Sequence, residues 1–243
     1  MKILVLSDIH ANWAALSAVR ETFDICVCLG DLVDYGPEPG PCVRWVMANA
    51  KYAVRGNHDH GVAQGIPVDG ESGYRYLTRV TRPLMWDALG AEERRFLLQL
   101  PVTQRVTLGG KRFLLVHATP RDPLDEYLMK DPKLWARRVH NVEADVVCVG
   151  HSHMQFNLMA DGVVVLNPGS VGQPRDGDPR AAYAVIEDHK IELKRIDYPV
   201  EDAVAGVENS SLPDRAKQWL AHCYREGKLP DASREEEDAE STA

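Results

Sequence analysis

The chain has 243 residues, of which 44% are hydrophobic and 26% are charged, so it has the composition of an ordinary globular protein with a sizeable core. Its 28 Lys and Arg residues are outnumbered by 36 Asp and Glu residues, and the formal net charge is −8. This balance excludes a protein that holds nucleic acid through a broadly basic surface.

The apolar runs and the cysteines predict the cellular compartment. No apolar run approaches the roughly 20 residues of a membrane span, and the run at residues 3–6 is too short for a secretion signal. The five cysteines include no C-x-x-C pair, and Cys26, Cys28 and Cys148 lie within apolar runs. We therefore expect buried, reduced thiols in a cytoplasmic protein.

The first 60 residues alternate short apolar runs with amphipathic segments. Strands are predicted at residues 3–6, 25–29 and 52–54, and helices at residues 12–21 and 42–47. This β-α-β-α-β order is typical of a mostly parallel sheet covered by helices. A helical segment is predicted to follow at residues 72–100.

Strand-forming sequence returns in the second half of the chain. Strands are predicted at residues 105–108, 112–116, 146–149, 163–166, 182–186 and 191–196, and helices at residues 132–140 and 213–226. The pairs 109–110 and 188–189 are typical of hairpin turns. Without a repeat or a linker, residues 1–230 are predicted to form one domain, followed by an acidic, disordered tail at 231–243.

Residue types that bind metal ions follow five of the predicted strands. In chain order they are Asp8 and His10, Asp31, Asn57, His117, and His151 and His153. Ligands of an open α/β sheet bind beyond the carboxyl ends of its strands, so we expect these side chains to meet at one sheet edge. Each motif alone is compatible with turn or capping chemistry. Together, their carboxylate, amide and imidazole groups predict a site for divalent metal ions.

These motifs resemble the signature of the calcineurin-like metallophosphoesterases. They stand as D-x-H at residue 8, G-D-x-x-D at 30, G-N-H-D at 56, a lone histidine at 117 and G-H-x-H at 150. The stretch N-P-G-S-V-G at 167–172 is similar to one in the small bacterial and archaeal phosphodiesterase-like branch. The resemblance implies an α/β fold, a four-layer α-β-β-α sandwich of two mixed sheets flanked by helices.

The resemblance also implies a centre of two divalent metal ions per chain. The first ion would be bound by Asp8, His10, Asp31 and His153, and the second by Asp31, Asn57, His117 and His151. Manganese is the leading choice, and zinc, iron, nickel and cobalt are compatible with the same ligands. His58 would be a general acid outside the ligand set, and Asp59 would orient its ring.

The substrate phosphate has fewer obvious partners. Tyr35 stands where the protein Ser/Thr phosphatase branch has an arginine that clamps a phosphate. A tyrosine hydroxyl carries no charge, so a diester or polyphosphate link is favoured over a monoester dianion. Arg175 or Arg180, in the glycine-rich loop at residues 172–180, is a candidate replacement cation, and Asn12 and Tyr35 are further candidate substrate contacts.

The sequence thus predicts a phosphoesterase that hydrolyses small phosphodiesters, cyclic nucleotides or dinucleoside polyphosphates by metal-activated water. A phosphoprotein or small-molecule phosphomonoesterase is the alternative within the enzymes. A catalytically silent binding scaffold is the alternative of another class. The expected partner is a small phosphorylated or nucleotide substrate, without a membrane or a stable nucleic-acid complex, and the oligomeric state is left open.

Overall fold

The strands of the computed structural model, which describes residues 1–231, form two five-stranded sheets. In spatial order, the first sheet consists of Lys190–Ile196 (β10), Ala181–Glu187 (β9), Lys2–Leu6 (β1), Ile25–Cys28 (β2) and Ala50–Ala53 (β3). The second consists of Thr103–Leu108 (β4), Lys111–Val116 (β5), Val146–Cys148 (β6), Val163–Asn167 (β8) and Phe156–Ala160 (β7). Residues 232–243 of the predicted tail lie outside the described residues.

The helices account for most of the remaining ordered segments. They are Trp13–Ala18 (α1), Pro39–Asn49 (α2), Asn57–Gln64 (α3), Gly73–Ala88 (α4), Ala91–Gln99 (α5), Pro132–Val139 (α6), Val200–Glu208 (α7) and Asp214–Glu226 (α8). Helices α4 and α5 form the segment predicted at residues 72–100. Within residues 1–231, no helix is long and apolar enough to cross a membrane.

Both sheets are mixed, as predicted. Strands β1, β2 and β3 run parallel, whereas β9 and β10 are added antiparallel to β1 and to each other. In the second sheet β5, β6 and β8 run parallel, with β4 and β7 antiparallel at the two edges. Two-residue turns connect β4 to β5 and β9 to β10, which confirms the two predicted hairpins.

One strand and two helices, β7, α3 and α7, were not predicted from the sequence. In β7, buried Phe156, Leu158 and Ala160 alternate with exposed positions, so the period of two was present in the sequence. Helix α7 buries Ala203, Val204 and Val207, but its short span follows directly on the β-rich segment. Strand β7 and helix α7 lie at the periphery of the fold and supply no side chain to the site described below, whereas α3 begins at Asn57 and carries His58.

The alternation of side chains along β1 shows how the layers are held together. Ile3 and Val5 pack between the two sheets, while Leu4 and Leu6 pack against helices on the outer face. Burying a side chain of this size contributes about 1.5–3 kcal/mol. Trp135 of α6 packs on the outer face of the second sheet. The order of layers is therefore helix, sheet, sheet, helix, as the resemblance implied.

The packing of the sheets decides where the strand ends lie. Asp8, Asp31 and Asn57 follow β1, β2 and β3 of the first sheet, whereas His117 and His151 follow β5 and β6 of the second. The expected single sheet edge is therefore replaced by the carboxyl ends of two sheets. Because the sheets pack face to face, the two sets of ends meet at one end of the sandwich.

All five cysteines are buried free thiols, as predicted. Burial raises the pKa of Cys26, Cys148 and Cys223 to about 12, so these thiols stay protonated at neutral pH. A buried thiol of this kind behaves as a small apolar side chain. The cysteines therefore contribute packing and no reactive thiolate.

Candidate metal centre

A first group of metal-binding side chains consists of Asp8, His10 and His153, whose donor atoms lie within 4.8 Å of one another. Nε2 of His153 lies 3.3 Å from Oδ1 of Asp8 and 3.2 Å from Nε2 of His10. All three residues are at most 1% exposed, and Oδ1 of Asp8 accepts no hydrogen bond within the described chain. Three buried donors that face one another with one carboxylate oxygen unsatisfied form a site that a cation stabilises.

A second group consists of Asp31, His117 and His151, again within 4.8 Å. Oδ2 of Asp31 lies 3.1 Å from Nε2 of His117 and 3.8 Å from Nε2 of His10, so Asp31 borders both groups. Oδ1 of Asn57 lies 3.2 Å from Nε2 of His117. Although burial alone would lower it, the Asp31 carboxylate raises the pKa of His117 to about 10. The negative potential that holds this proton also favours a metal cation.

Backbone carbonyl groups determine the orientation of three of the imidazole rings. Nδ1 of His10 lies 2.8 Å from the carbonyl oxygen of Val33, and Nδ1 of His117 lies 2.8 Å from that of Leu29. Nδ1 of His153 lies 2.6 Å from the carbonyl oxygen of Gln173. Because a carbonyl oxygen can only accept, Nδ1 carries a proton in each ring, and in the neutral form of the ring, which is the form that binds a metal, the Nε2 lone pair points into the site. Metal-binding histidines make this same second contact, so the donor set fits divalent cations.

The backbone at the site is strained. Asp8, His10, Asp31, His151 and His153 have φ values of 53°, 47°, 55°, 62° and 57°, in the left-handed region. Each such residue costs about 1–2 kcal/mol unless it is glycine. Strain of this kind persists where the surrounding structure requires it, most often at functional sites.

Two glycines allow the backbone to approach the carboxylates. A Cβ atom on Gly56 would lie 2.0 Å from Oδ1 of Asp31. On Gly150 it would lie 2.0 Å from Oγ of Ser7 and 2.8 Å from Oδ2 of Asp8. The close approach expected of the glycines in G-N-H-D and G-H-x-H is therefore present, because no other residue fits at either position.

His58 lies beside both groups and is 7% exposed. Its Nδ1 lies 2.7 Å from Oδ2 of Asp34, which directs Nε2 to within 4.0 Å of Oδ2 of Asp31. Nε2 also lies 3.4 Å from the hydroxyl oxygen of Tyr35. A third group of possible metal-binding atoms within 4.8 Å consists of His10, Asp31 and His58.

Asp59 does not make the expected contact with the His58 ring. Its carboxylate accepts hydrogen bonds from the backbone N–H groups of Asp31 and Leu32, both at 2.8 Å, and of Gly56 at 3.1 Å. Asp59 lies in the first turn of α3, so its side chain points back toward the helix N-terminus. It therefore holds the Asp31 loop against α3, and Asp34 is the carboxylate that orients His58.

Arg82 is part of the site although the sequence analysis did not identify it. This residue of α4 is 4% exposed, and its guanidinium lies 2.6 and 3.0 Å from Oδ2 of Asp34. It also donates to the carbonyl oxygen of Ile66 at 3.1 Å. Arg82, Asp34 and His58 thus form a buried hydrogen-bonded chain. Asp34 ends the G-D-x-x-D motif, but nothing in the local sequence marks Arg82.

Asn12 is engaged in hydrogen bonds within the protein. Its Oδ1 accepts from the N–H of Ala15 at 3.0 Å and caps α1. Its Nδ2 donates to the carbonyl oxygen of Gly172 at 2.9 Å and approaches the Tyr198 hydroxyl at 3.4 Å. Both ends of the amide are therefore engaged within the protein and the residue is 1% exposed, whereas the substrate contact of Asn12 stays a prediction.

Tyr35 lies at the site as expected. Its ring centroid is 4.7 Å from that of His10, and its hydroxyl lies 3.1 Å from Oγ1 of Thr78. Burial raises the pKa of Tyr35 to about 12, so its hydroxyl is neutral. It can therefore act as a single hydrogen-bond donor near His58 and cannot replace a cation.

Of the two candidate cations, Arg175 lies beside the site, where its charge acts on Asp8 and His153. Its guanidinium carbon lies 3.6 Å from the centroid of the Tyr74 ring, and one nitrogen lies 3.4 Å from Oε1 of Gln173. Its Nε has no hydrogen-bond partner within residues 1–231. Arg180, in contrast, is exposed and lies 2.7 Å from the carboxylate of Asp178. An unsatisfied guanidinium beside the site is suited to bind an anion.

Comparison with known proteins places this site within a family. The family model described as a calcineurin-like phosphoesterase superfamily domain matches residues 1–190. The protein MJ0912 of Methanocaldococcus jannaschii is 34% identical, with 90% of this chain and 95% of that protein covered. The phosphodiesterase YfcE of Escherichia coli is 26% identical over 77% of this chain and 88% of YfcE. The crystal structure of a metallophosphoesterase from Sphaerobacter thermophilus superimposes with a TM-score of 0.80 at 30% identity, covering 93% of this chain and 99% of that one. Because the family model matches well over half of its residues, the chain belongs to the calcineurin-like phosphoesterase superfamily.

Proposed function

We propose that this protein is a phosphodiesterase that hydrolyses small phosphodiesters with two divalent metal ions. The observation that carries the proposal is the convergence of two groups of donor atoms, joined by Asp31 and adjacent to His58. The family and its phosphodiesterase relative YfcE support a phosphoesterase hydrolase that binds divalent metal. The number of ions and the preference for a diester are the proposal.

The proposed ligand sets follow the two groups of donor atoms. One ion would be held by Asp8, His10, Asp31 and His153, and the other by Asp31, Asn57, His117 and His151. When bound, two such ions lower the pKa of a water molecule and neutralise the phosphoryl oxygens. Two carboxylates against two divalent charges leave the site positive, and the mixed nitrogen and oxygen ligands suit manganese first among several metals.

His58 supplies the proton that the leaving oxygen requires. With Nδ1 engaged by Asp34 at 2.7 Å, the ring is fixed and Nε2 faces the site. Arg82 fixes Asp34 in turn, so rotation of the ring would break a buried chain of charge-assisted hydrogen bonds. General acid catalysis from such a fixed position contributes about 10²–10⁴-fold in rate.

The charges around the site favour a diester over a monoester. A monoester dianion needs positive charge nearby to offset its two negative charges, and the neutral hydroxyl of Tyr35 contributes none. Arg175 lies beside the site with its Nε unpaired among residues 1–231, and a single guanidinium matches the single charge of a diester. A phosphomonoesterase remains the alternative within the enzymes, and a silent scaffold is the alternative outside them.

Hydrolysis of two synthetic esters tests the proposal. The protein is stripped with chelator, reloaded with manganese or zinc, and assayed with bis-p-nitrophenyl phosphate and p-nitrophenyl phosphate, with Asp31→Asn as the control for contaminants. We expect metal-dependent turnover that favours the diester. Preference for the monoester would refute the diester assignment. Two bound ions without turnover would favour the scaffold, and failure to bind metal would refute the whole proposal.

A further inference from the structure

A cavity of about 520 Å³ opens beside His58, between α3, α4 and the loop that carries Leu124. Its volume lies within the range of about 300–1,000 Å³ that is usual for small-molecule sites. Tyr35, His58 and Thr78 are part of its wall. Among the seven proposed metal ligands, Asn57 alone lines it. The cavity is therefore adjacent to the proposed acid and lies outside the two groups of metal-binding atoms.

The chemistry of phosphoryl transfer relates this cavity to the leaving group. The attacking and leaving oxygens lie roughly in line on opposite sides of the phosphorus. The acid must lie within hydrogen-bonding reach of the leaving oxygen. If Nε2 of His58 protonates that oxygen, the released alcohol has to occupy the space next to His58. The cavity is that space.

The charged residues of the cavity wall do not favour an anionic leaving group. Arg82 is already engaged by Asp34 at 2.6 Å. The other charged residues in the wall are Arg75, Asp69 and Asp125, one positive against two negative charges. Nε of Arg75 donates to the carbonyl oxygen of Asp69 at 3.1 Å. A phosphate in the cavity would therefore lose hydration and meet two carboxylates against the one guanidinium of Arg75.

The uncharged part of the wall is partly apolar. Its apolar members are Ile66, Pro67, Val68, Leu124 and the aromatic ring of Tyr74, and its polar members include Tyr35, Asn57 and Thr78. Ile66 is 44% exposed, so a ligand in the cavity would bury apolar surface there. A ring system without formal charge gains from this burial, whereas a phosphate chain does not.

We propose that this cavity binds the leaving group and selects an uncharged alcohol of nucleoside size. The inference rests on the proposed phosphodiesterase function and narrows its substrate class. The substrate is then a diester that releases a nucleoside or a similar neutral alcohol. A dinucleoside polyphosphate, which must release a nucleotide, is disfavoured by the same wall.

The test compares leaving groups that differ in charge, with manganese-loaded protein. The substrates are adenylyl-(3′→5′)-adenosine, its 5′- and 3′-phosphorylated forms, and diadenosine tetraphosphate, with products identified by chromatography. We expect the highest kcat/KM for the unphosphorylated compound. The double variant Asp69→Asn, Asp125→Asn is expected to raise kcat/KM for substrates with charged leaving groups. The expected factor is about fivefold, which is the Coulomb effect of removing two charges at roughly 8 Å in water.

Two controls separate the possible outcomes. Asp87→Asn with Glu92→Gln removes two exposed acidic charges that do not line the cavity, and should leave the ratios between substrates unchanged. Bis-p-nitrophenyl phosphate, whose leaving group has no phosphate, reports the phosphodiesterase function itself. No turnover of this ester would refute the proposed function. If this ester is turned over, three results would overturn the inference alone. They are a preference for phosphorylated leaving groups, no turnover of the dinucleoside, and ratios of kcat/KM between substrates that the Asp69→Asn, Asp125→Asn variant does not change.

Discussion

The approach of α3 to the Asp31 carboxylate makes the replacement of Gly56 by alanine a sharp test of the site. Gly56 has φ −87° and ψ 175°, an extended conformation that alanine adopts without strain. Its Cβ, however, would lie 2.0 Å from Oδ1 and 2.6 Å from the backbone nitrogen of Asp31. The added methyl group therefore collides with the carboxylate that is proposed to be shared by both ions.

The size of the effect follows from these distances. Ordinary contacts of a Cβ begin at 3.4 Å, so the separation from Oδ1 has to grow from 2.0 Å by more than 1 Å. Metal–ligand distances hold to within about 0.2 Å of their preferred values, so Asp31 would leave both ions. A displacement of about 1 Å at a catalytic centre can cost about 10²-fold in rate. We expect Gly56→Ala to lose bound manganese and at least that factor in kcat/KM.

The assay combines metal content, kinetics and thermal unfolding, with Gly65→Ala as the matched control. Gly65 ends the same helix with φ 66°, and nothing lies within 4 Å of a Cβ built there. Alanine at Gly65 should therefore cost about 1–2 kcal/mol of stability through backbone strain and leave metal binding intact. If folded Gly56→Ala retains its full metal content and turnover, the proposed dependence of the Asp31 position on this glycine is wrong.

Three further predictions concern the acid, the phosphate contact and stability. His58→Ala should retain both ions and lose about 10²–10⁴-fold in kcat, whereas Asp31→Asn should lose metal; equal metal loss by elemental analysis would mean that His58 is a ligand. Arg175→Met should lower kcat/KM for bis-p-nitrophenyl phosphate by about 10–100-fold, the value of a hydrogen bond to a charged group, and an unchanged value would exclude a phosphate contact. Lys194 lies 2.7 Å from Glu21 and, with a second lysine, lowers the pKa of the Glu21 carboxyl to about 2. The ion pair therefore stabilises the fold above the ordinary pKa of 4.5, and this stabilisation is lost as pH falls through about 2. Urea unfolding of Glu21→Gln should show a loss of about 1 kcal/mol at pH 7 that shrinks below pH 4, and a loss independent of pH would contradict this account.

The residue types of the candidate metal site could be predicted because each motif directly follows an apolar run. Strand formation by residues 3–6 and 25–29 depends on local composition, and Asp8 and Asp31 follow at once. The rule that ligands gather at strand ends then brings the side chains together without knowledge of the packing. The same reasoning assumed one sheet edge, because nothing in the strands states how the two sheets face each other.

The tertiary structure alone determines which residues that are distant in the sequence form hydrogen bonds with each other. Asp59 is adjacent to His58 in sequence, but helical geometry turns its carboxylate toward the backbone of the Asp31 loop. Asp34 and Arg82 are 48 residues apart and meet because α4 packs over the loop that follows β2. Asn12 has the chemistry of a substrate contact, yet the cap of α1 and the Gly172 loop occupy its amide.

The sequence by itself therefore determined which groups are available for metal binding and acid catalysis, since those groups are attached to locally encoded strands. Only the tertiary structure decided which carboxylate orients His58, which arginine keeps an unpaired hydrogen-bond donor and which charged residues line the adjoining cavity. Arg175 and Arg180 lie in one loop, but Arg180 pairs with Asp178 while Arg175 stacks on Tyr74 of α4. These choices depend on packing between distant segments, whose free energy is set by shape and burial that no short stretch of sequence contains.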